Sequence, residues 1–304
     1  MGTVGPLPGD NLDKTVRNWV RLHLSDSTLP MLSDPREQEA VANRLMADLD
    51  DRGRLLLDAL GRRYDEGELT RLSRHIRRVL DGQPVQRVLG WTDFRGLRIG
   101  CAGDVLIPRP ETEEVVGWFL DGMANGGASA KPNGPIRVLD VGTGSGCVAL
   151  SIKHERPEWE VVAIDVSEGA LMQAAANAKQ LNINVEFKNV DILDVQSVEG
   201  LGRFQGIVSN PPYIPDSETL DDHVEKHEPA EALFVPATEP LRFHRALVQA
   251  AKKGLEPGGC MVAECHSEFA QAVADCWQLD GATSECLTDL QGAERAVRLI
   301  RSQP

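Results

Sequence analysis

Several things are scarce in this chain of 304 residues. No uninterrupted apolar run approaches the roughly 18 residues that a membrane-spanning helix needs, and the first thirty residues hold no continuous hydrophobic segment. Neither a membrane span nor a signal peptide is expected. Cysteine is sparse. The six residues Cys101, Cys147, Cys260, Cys265, Cys276 and Cys286 lack the spacing of a disulfide framework, which predicts reduced thiols and a cytoplasmic setting. Positive charge is short too: 32 Lys and Arg stand against 46 Asp and Glu, a formal net charge of −14. The broad basic surface of a dedicated nucleic-acid binder is missing, and direct DNA binding is not expected. What is present is a hydrophobic fraction of 41%, enough for buried cores, over a length that suggests roughly two domains of about 150 residues each.

The first third is patterned for helices. Leu12, Val16, Trp19 and Val20 recur at helical spacing. Asp34, Pro35 and Glu37 supply an N-cap, a first-turn proline and a capping-box acid, and Val41, Leu45, Leu49, Leu55, Leu56 and Leu60 continue one face. Leu69, Leu72, Ile76, Val79 and Leu80 mark another helix, stopped by Asp81-Gly82. Between Gly61 and Arg87, seven arginines (Arg62, Arg63, Arg71, Arg74, Arg77, Arg78 and Arg87) outnumber four acids. Such a run is either the solvated face of a helix or a docking surface for an acidic or RNA-associated partner.

From Val85 to Ile107 short runs broken by Gly90, Gly96, Gly100 and Gly103 predict a β-hairpin. The expected division is a helical domain over 1–84, a hairpin linker over 85–110 and a larger domain over 111–304. The last opens with a helix over Glu111–Leu120 and a Gly-, Ala-, Asn- and Pro-rich loop over Asp121–Pro135. Strands over Ile136–Val141, Glu160–Asp165, Asn184–Val190, Phe204–Ser209 and Cys260–Glu264 then alternate with helices over Val148–His154, Glu168–Leu181, Leu241–Leu255 and Ser267–Trp277. Two late strands follow near Ala282–Asp289 and Ala296–Ile300. This alternation implies an α/β fold with a mostly parallel, Rossmann-like sheet covered by helices on both faces.

Gly142-Thr143-Gly144-Ser145-Gly146 follows the first of these strands and opens a helix. Glycine lets backbone approach a ligand closely. A nicotinamide fingerprint would place a third small residue at 147, where this chain has Cys147. Asp165 ends the second strand, where an acid can accept hydrogen bonds from both hydroxyls of a ribose. Asp191 at the end of the third strand, with Ile192 beside it, suits an adenine edge and face; the plainer role of either acid is a strand-end cap. Together these residues favour S-adenosylmethionine over NAD.

Asn210-Pro211-Pro212-Tyr213 follows a buried strand, at the sheet edge where such folds bind ligands. An amide or aromatic amine nitrogen is a poor nucleophile because its lone pair is delocalised. If the Asn210 side-chain oxygen and the Pro211 carbonyl accept its two N–H groups, that lone pair can be aimed at a sulfonium methyl. Prolines fix φ and carry no N–H, so the loop presents acceptors rigidly, and Tyr213 can flank a planar group. The rate gain comes from orientation.

With these motifs the chain resembles the release-factor glutamine N5-methyltransferases (HemK/PrmC-like), a family of class I S-adenosylmethionine-dependent methyltransferases, over about residues 34 to 300. The resemblance rests on Gln86, Leu89-Gly90, Phe94, Leu106-Ile107-Pro108-Arg109-Pro110-Glu111-Thr112-Glu113, the Asp140–Gly146 segment, Ser209–Ile214, Glu228-Pro229 and Ala232-Leu233. It implies a release factor as partner, with the glutamine of its Gly-Gly-Gln loop as substrate, and an N-terminal domain that helps grip it. It also implies Phe94 beside the reacting groups and Arg109, Glu111 and Thr112 at the roof of the cofactor site. An ordinary core aromatic and a structural salt bridge are the alternatives for Phe94 and Arg109.

Two stretches depart from the family: Phe234–Leu241 replaces a glycine pair with Asp-Gly-Leu, and Cys265-His266 replaces the glycine after Glu264. No metal is expected at Cys260, Glu264, Cys265 and His266, since adjacent strand residues point to opposite faces. A monomer is expected. Other readings are a nucleic-acid base N-methyltransferase, a ribosomal-protein glutamine methyltransferase, and a non-catalytic interaction protein, whose glycine turn or Asn-Pro-Pro-Tyr loop would be expected to have decayed. Arg109-Pro110-Glu111 stands where enzymes acting on the ribosomal protein tend to have Arg-Ser-Pro, which favours the release factor.

Overall fold

The computed structural model describes residues 4, 6–9, 12–27, 29–50, 63–125 and 134–303. Leu55, Leu56, Leu60, Arg62 and the middle of the expected Asp121–Pro135 loop lie outside them. Two compact units emerge. The first takes Met1–Gly90 and Asp221–His227, the second Trp91–Leu220 and Glu228–Pro304.

In the first unit, α1 (Asp13–Ser25), α2 (Pro35–Asp50), α3 (Glu66–Leu80) and α4 (Val85–Leu89) share a core built from Val16, Val20, Leu45, Leu49, Leu72, Ile76 and Val88. The helical spacing of those residues places them on single faces. A capping box starts α3: the Asp65 side chain accepts the Glu68 N–H at 2.7 Å, and Glu68 accepts the Asp65 N–H at 2.9 Å. Val85–Leu89 is helical, not extended as expected. Pro84 leads into it, Val85 and Val88 bury one face, and Gly90 ends it at φ 83°. Arg78 is tied down, donating to the Gln83 side chain at 2.8 Å and to the Val88 and Arg87 carbonyls.

The second unit opens with the expected hairpin, β1 (Trp91–Phe94) and β2 (Leu97–Gly100), around a turn in which Arg95 and Gly96 both have positive φ. Next comes α5 (Pro110–Asn125), which outruns the expected Leu120 end. Gly122 falls in the stretch expected to be loop, yet a Cβ there would sit 2.5 Å from Cys260 Sγ. It is a packing glycine that lets the helix lie close on the sheet.

The alternation continues with β3 (Arg137–Val141), α6 (Cys147–Glu155), β4 (Glu160–Asp165), α7 (Glu168–Leu181), β5 (Glu186–Asn189), α8 (Val195–Glu199) and β6 (Phe204–Ser209). After it come β7 (Ile214–Pro215), α9 (Asp222–Glu225, part of the first unit), α10 (Ala230–Leu233) and β8 (Phe234–Val235). The chain closes with α11 (Arg242–Gly254), β9 (Leu255–Glu264), α12 (Ala270–Cys276), β10 (Ala282–Thr288) and β11 (Glu294–Arg301). Sequence reading missed α8, α9, α10 and the parallel β7–β8 pair; all are too short for a periodic signal.

The main sheet runs β10-β11-β9-β6-β3-β4-β5. β3, β4, β5, β6 and β9 are parallel, and β11 is antiparallel to both β9 and β10. This is the expected Rossmann-like class I methyltransferase sheet. Alternate residues feed two cores. Val138, Val208 and Val262 pack on one side with α5 and α6, while Leu139, Ile207 and Met261 pack on the other with α11 and α12. Cys147, Cys260 and Cys265 are free, buried core side chains whose thiols burial pushes up to about 12.

Candidate active site

The order of the parallel strands reverses between β3 and β6, and a crevice opens beyond their C-terminal ends, the position where open α/β sheets bind ligands. A cavity of about 380 Å³ occupies it.

One wall is the turn after β3. Gly142 and Gly144 adopt φ of 70° and 54°, a backbone that L side chains rarely take. Behind the turn the buried Asp140 carboxylate accepts the Thr143 hydroxyl at 2.7 Å and the Ala149 N–H at 3.1 Å, pinning the turn to the start of α6. Burial pushes the Asp140 carboxyl up to about 7, against the pull of those two donors. Gly142, Thr143, Gly144 and Ser145 all line the cavity. Gly146, the last glycine of the turn, is not among the lining residues. Its φ is 82°, and a Cβ would meet Ala174 at 3.1 Å and Leu150 at 3.2 Å, so it serves the close packing of α6 on α7.

Asp165 lines the same cavity from the end of β4. One carboxylate oxygen accepts the Gly144 N–H and the other the Ser167 N–H, each at 2.9 Å. Each oxygen keeps a second lone pair for a ligand hydroxyl. Asp191 and Ile192 also face the cavity; Asp191 lies just beyond β5 and caps the Leu193 N–H at 2.8 Å. Val105, Phe243 and Leu247 add apolar lining that the sequence did not reveal, because they arrive from a loop and from α11, far apart in the chain.

Asn210, Pro211 and Pro212 close the cavity from β6, and Thr112 reaches it from α5. The Asn210 amide donates to Thr112 Oγ1 at 3.0 Å. The Thr112 hydroxyl donates to Glu264 Oε2 at 2.7 Å, and the Tyr213 hydroxyl donates to Glu264 Oε1 at 2.9 Å. Tyr213 is thus held by Glu264, next to the loop that lines the cavity and not itself among the lining residues. Arg109 also leaves the site: it pairs with the buried Glu228, whose other oxygen accepts the Ile107 N–H at 2.9 Å. A buried carboxylate needs a cation more than the cavity does. Phe94 is only 1% exposed and packs with Leu97, Val115 and Phe119 in the core, away from the residues that line the cavity. Among the described residues, no group of three or more His, Cys, Asp or Glu side chains is arranged to hold a metal ion, and no helix is long and apolar enough to cross a membrane.

The family model described as "Methyltransferase small domain" matches residues 130–233. The release factor glutamine methyltransferase of Coxiella burnetii is 38% identical over 69% of this chain and 72% of its own length. That of Bacillus subtilis is 35% identical over 86% of this chain and 91% of its own. Among solved structures, a methyltransferase from Pyrococcus furiosus is 18% identical over 76% of this chain and 100% of its own, with a TM-score of 0.48. On the strength of those curated relatives, the chain belongs to the release factor glutamine methyltransferase family.

Proposed function

We propose that this chain methylates the side-chain amide nitrogen (N5) of the glutamine in the Gly-Gly-Gln loop of a peptide chain release factor, using S-adenosylmethionine, in the cytoplasm. The observation that carries this is the convergence of the Asn210–Pro212 loop, the Gly142–Ser145 turn and the Asp165 carboxylate on one cavity. S-adenosylmethionine supplies a methyl carbon on a cationic sulfur, so forming the nitrogen–carbon bond breaks the carbon–sulfur bond and leaves a neutral thioether. Asp165 accepts the ribose hydroxyls, and the glycine turn lets backbone lie against the amino-acid portion. The apolar lining from Val105, Ile192 and Leu247 excludes water around the adenine. Asn210 Oδ1 and the Pro211 carbonyl accept the two N–H groups of the substrate amide and hold its plane so that the nitrogen faces the methyl. Orientation supplies the acceleration, and the nitrogen's extra proton leaves to water after transfer.

The test is mass spectrometry of an intact release factor incubated with the protein and S-adenosylmethionine. One added methyl mapped to the Gly-Gly-Gln glutamine is the expected result. An unmodified factor, or methyl found instead on a nucleic-acid base or a ribosomal protein, would overturn the proposal.

A further inference from the structure

Asn210 can serve as an acceptor only if its amide presents oxygen, not nitrogen, to the cavity. The two ends of a primary amide are nearly the same size, so shape alone does not choose between them. The choice falls to hydrogen bonding behind the residue. Thr112 Oγ1 lies 3.0 Å from Asn210 Nδ2 and 2.7 Å from Glu264 Oε2. A hydroxyl has one proton to give. An ionised carboxylate accepts only, so the Thr112 proton goes to Glu264, and the Thr112 lone pair then requires a donor from Asn210. Asn210 Nδ2 is drawn back toward Thr112, and Oδ1 has no hydrogen-bond partner among the described residues, on a residue that lines the cavity.

We propose that Glu264, acting through Thr112, is the positioning residue that sets the polarity of the Asn210 amide and so makes Asn210 an acceptor for the substrate nitrogen. Glu264 itself is 1% exposed and does not line the cavity. Strand pairing puts it there: Ser209 is registered with Ala263, so the residue after each, Asn210 and Glu264, leave neighbouring strands side by side. Tyr213, one turn of chain beyond Asn210, holds the second Glu264 oxygen at 2.9 Å and stops the carboxylate rotating away from Thr112. Burial, with the Glu111 charge adding to it, holds the Glu264 carboxyl above the usual carboxylate range, and the two hydroxyl donors and the Arg295 guanidinium offset part of that rise. A buried carboxylate with both oxygens matched to hydroxyl donors is stiff, which suits a group whose task is to orient another.

This inference rests on the proposed role of Asn210, and the experiment separates the two. Glu264→Gln, Thr112→Val and Thr112→Ser are compared with wild type in the full-length protein, with an intact release factor as substrate and calorimetry for S-adenosylmethionine. Glu264→Gln is expected to lower kcat on the order of 10–100-fold, the scale typical of groups that orient a first contact, with cofactor affinity unchanged. Thr112→Val should lose a similar factor in kcat, and Thr112→Ser should restore it. In an Asn210→Ala background, Glu264→Gln should add no further loss, because its effect passes through Asn210.

Wild-type kcat in Glu264→Gln, a matching loss of cofactor affinity, or an additive loss in the Asn210→Ala background would each overturn the assignment. If Glu264→Gln does not fold, the Thr112→Val and Thr112→Ser pair decides alone. Failure of the wild type to methylate the Gly-Gly-Gln glutamine would strike the proposed function instead.

Discussion

At the scale of single residues, the site depends on carboxylates that differ in burial and in partners. Asp165 is partly exposed and engages the Gly144 and Ser167 amides. Asp165→Ala should weaken S-adenosylmethionine binding by roughly 1.5–3 kcal/mol, the usual scale for hydrogen bonds to a charged group. Calorimetry on the folded variant tests this, and unchanged affinity would remove Asp165 from the ribose site. Asp140 behaves differently. Its carboxyl ionises near 3.8 in the unfolded chain and near about 7 when folded. Between those values the folded state holds the extra proton. The stability contributed is therefore full below the lower value and falls as pH rises through the window, by about 1.36 kcal/mol per unit. Asp140→Asn keeps an acceptor for Thr143 and Ala149 without the titration. Urea unfolding should therefore shift in the variant's favour as pH rises from about 4 to about 7, and a pH-independent difference would contradict the assignment.

At the scale of elements, α5 lies on β6 and β9 through two glycines. A Cβ at Gly122 would be 2.5 Å from Cys260 Sγ, and one at Gly206 would be 2.5 Å from Phe119. Gly122→Ala brings two opposed effects. Helix propensity alone would stabilise by about 1 kcal/mol, whereas overpacking costs about 1–3 kcal/mol. Cys260 is rooted in a central strand and cannot swing aside, so net destabilisation is expected in chemical denaturation. A more stable Gly122→Ala would show that the helix can lift from the sheet without cost. Because α5 also carries Thr112, the spacing enforced by Gly122 bears on the site as well as on the core.

At the scale of the whole molecule, a small amide pocket recognises glutamine but does not choose one glutamine among many, so selectivity calls for contacts remote from the chemistry. We propose that the helical unit supplies them through α3. Arg78 is excluded from that surface by its bonds to Gln83, Arg87 and Val88, whereas Arg74 and Arg77 are exposed. Reversing the charge at Arg74 and Arg77 together should lower kcat/KM for an intact release factor while leaving the slow reaction on a short Gly-Gly-Gln peptide unchanged. Equal losses on both substrates, or none on either, would take this face out of the docking scheme.

Local pattern determined much about this protein. Alternating apolar positions and turn residues were enough for the Glu160–Asp165, Glu168–Leu181 and Phe204–Ser209 bounds, which the structure reproduces residue for residue. The glycine turn and the Asn210-Pro211-Pro212 loop were legible because backbone freedom and missing donors are properties of the residues themselves. Other outcomes depended on partners distant in sequence. The packing roles of Gly146 and Gly122 show only once Ala174 and Cys260 are placed against them. The partners of Arg109 and Phe94, Glu228 and the α5 core, have no local signature in the sequence either. Glu264 showed no local signal of its role, since what it does follows from strand register and from one hydroxyl proton on a helix more than a hundred residues earlier. Periodicity is carried along the chain, whereas the polarity of a hydrogen bond is decided only when the groups at both ends have met.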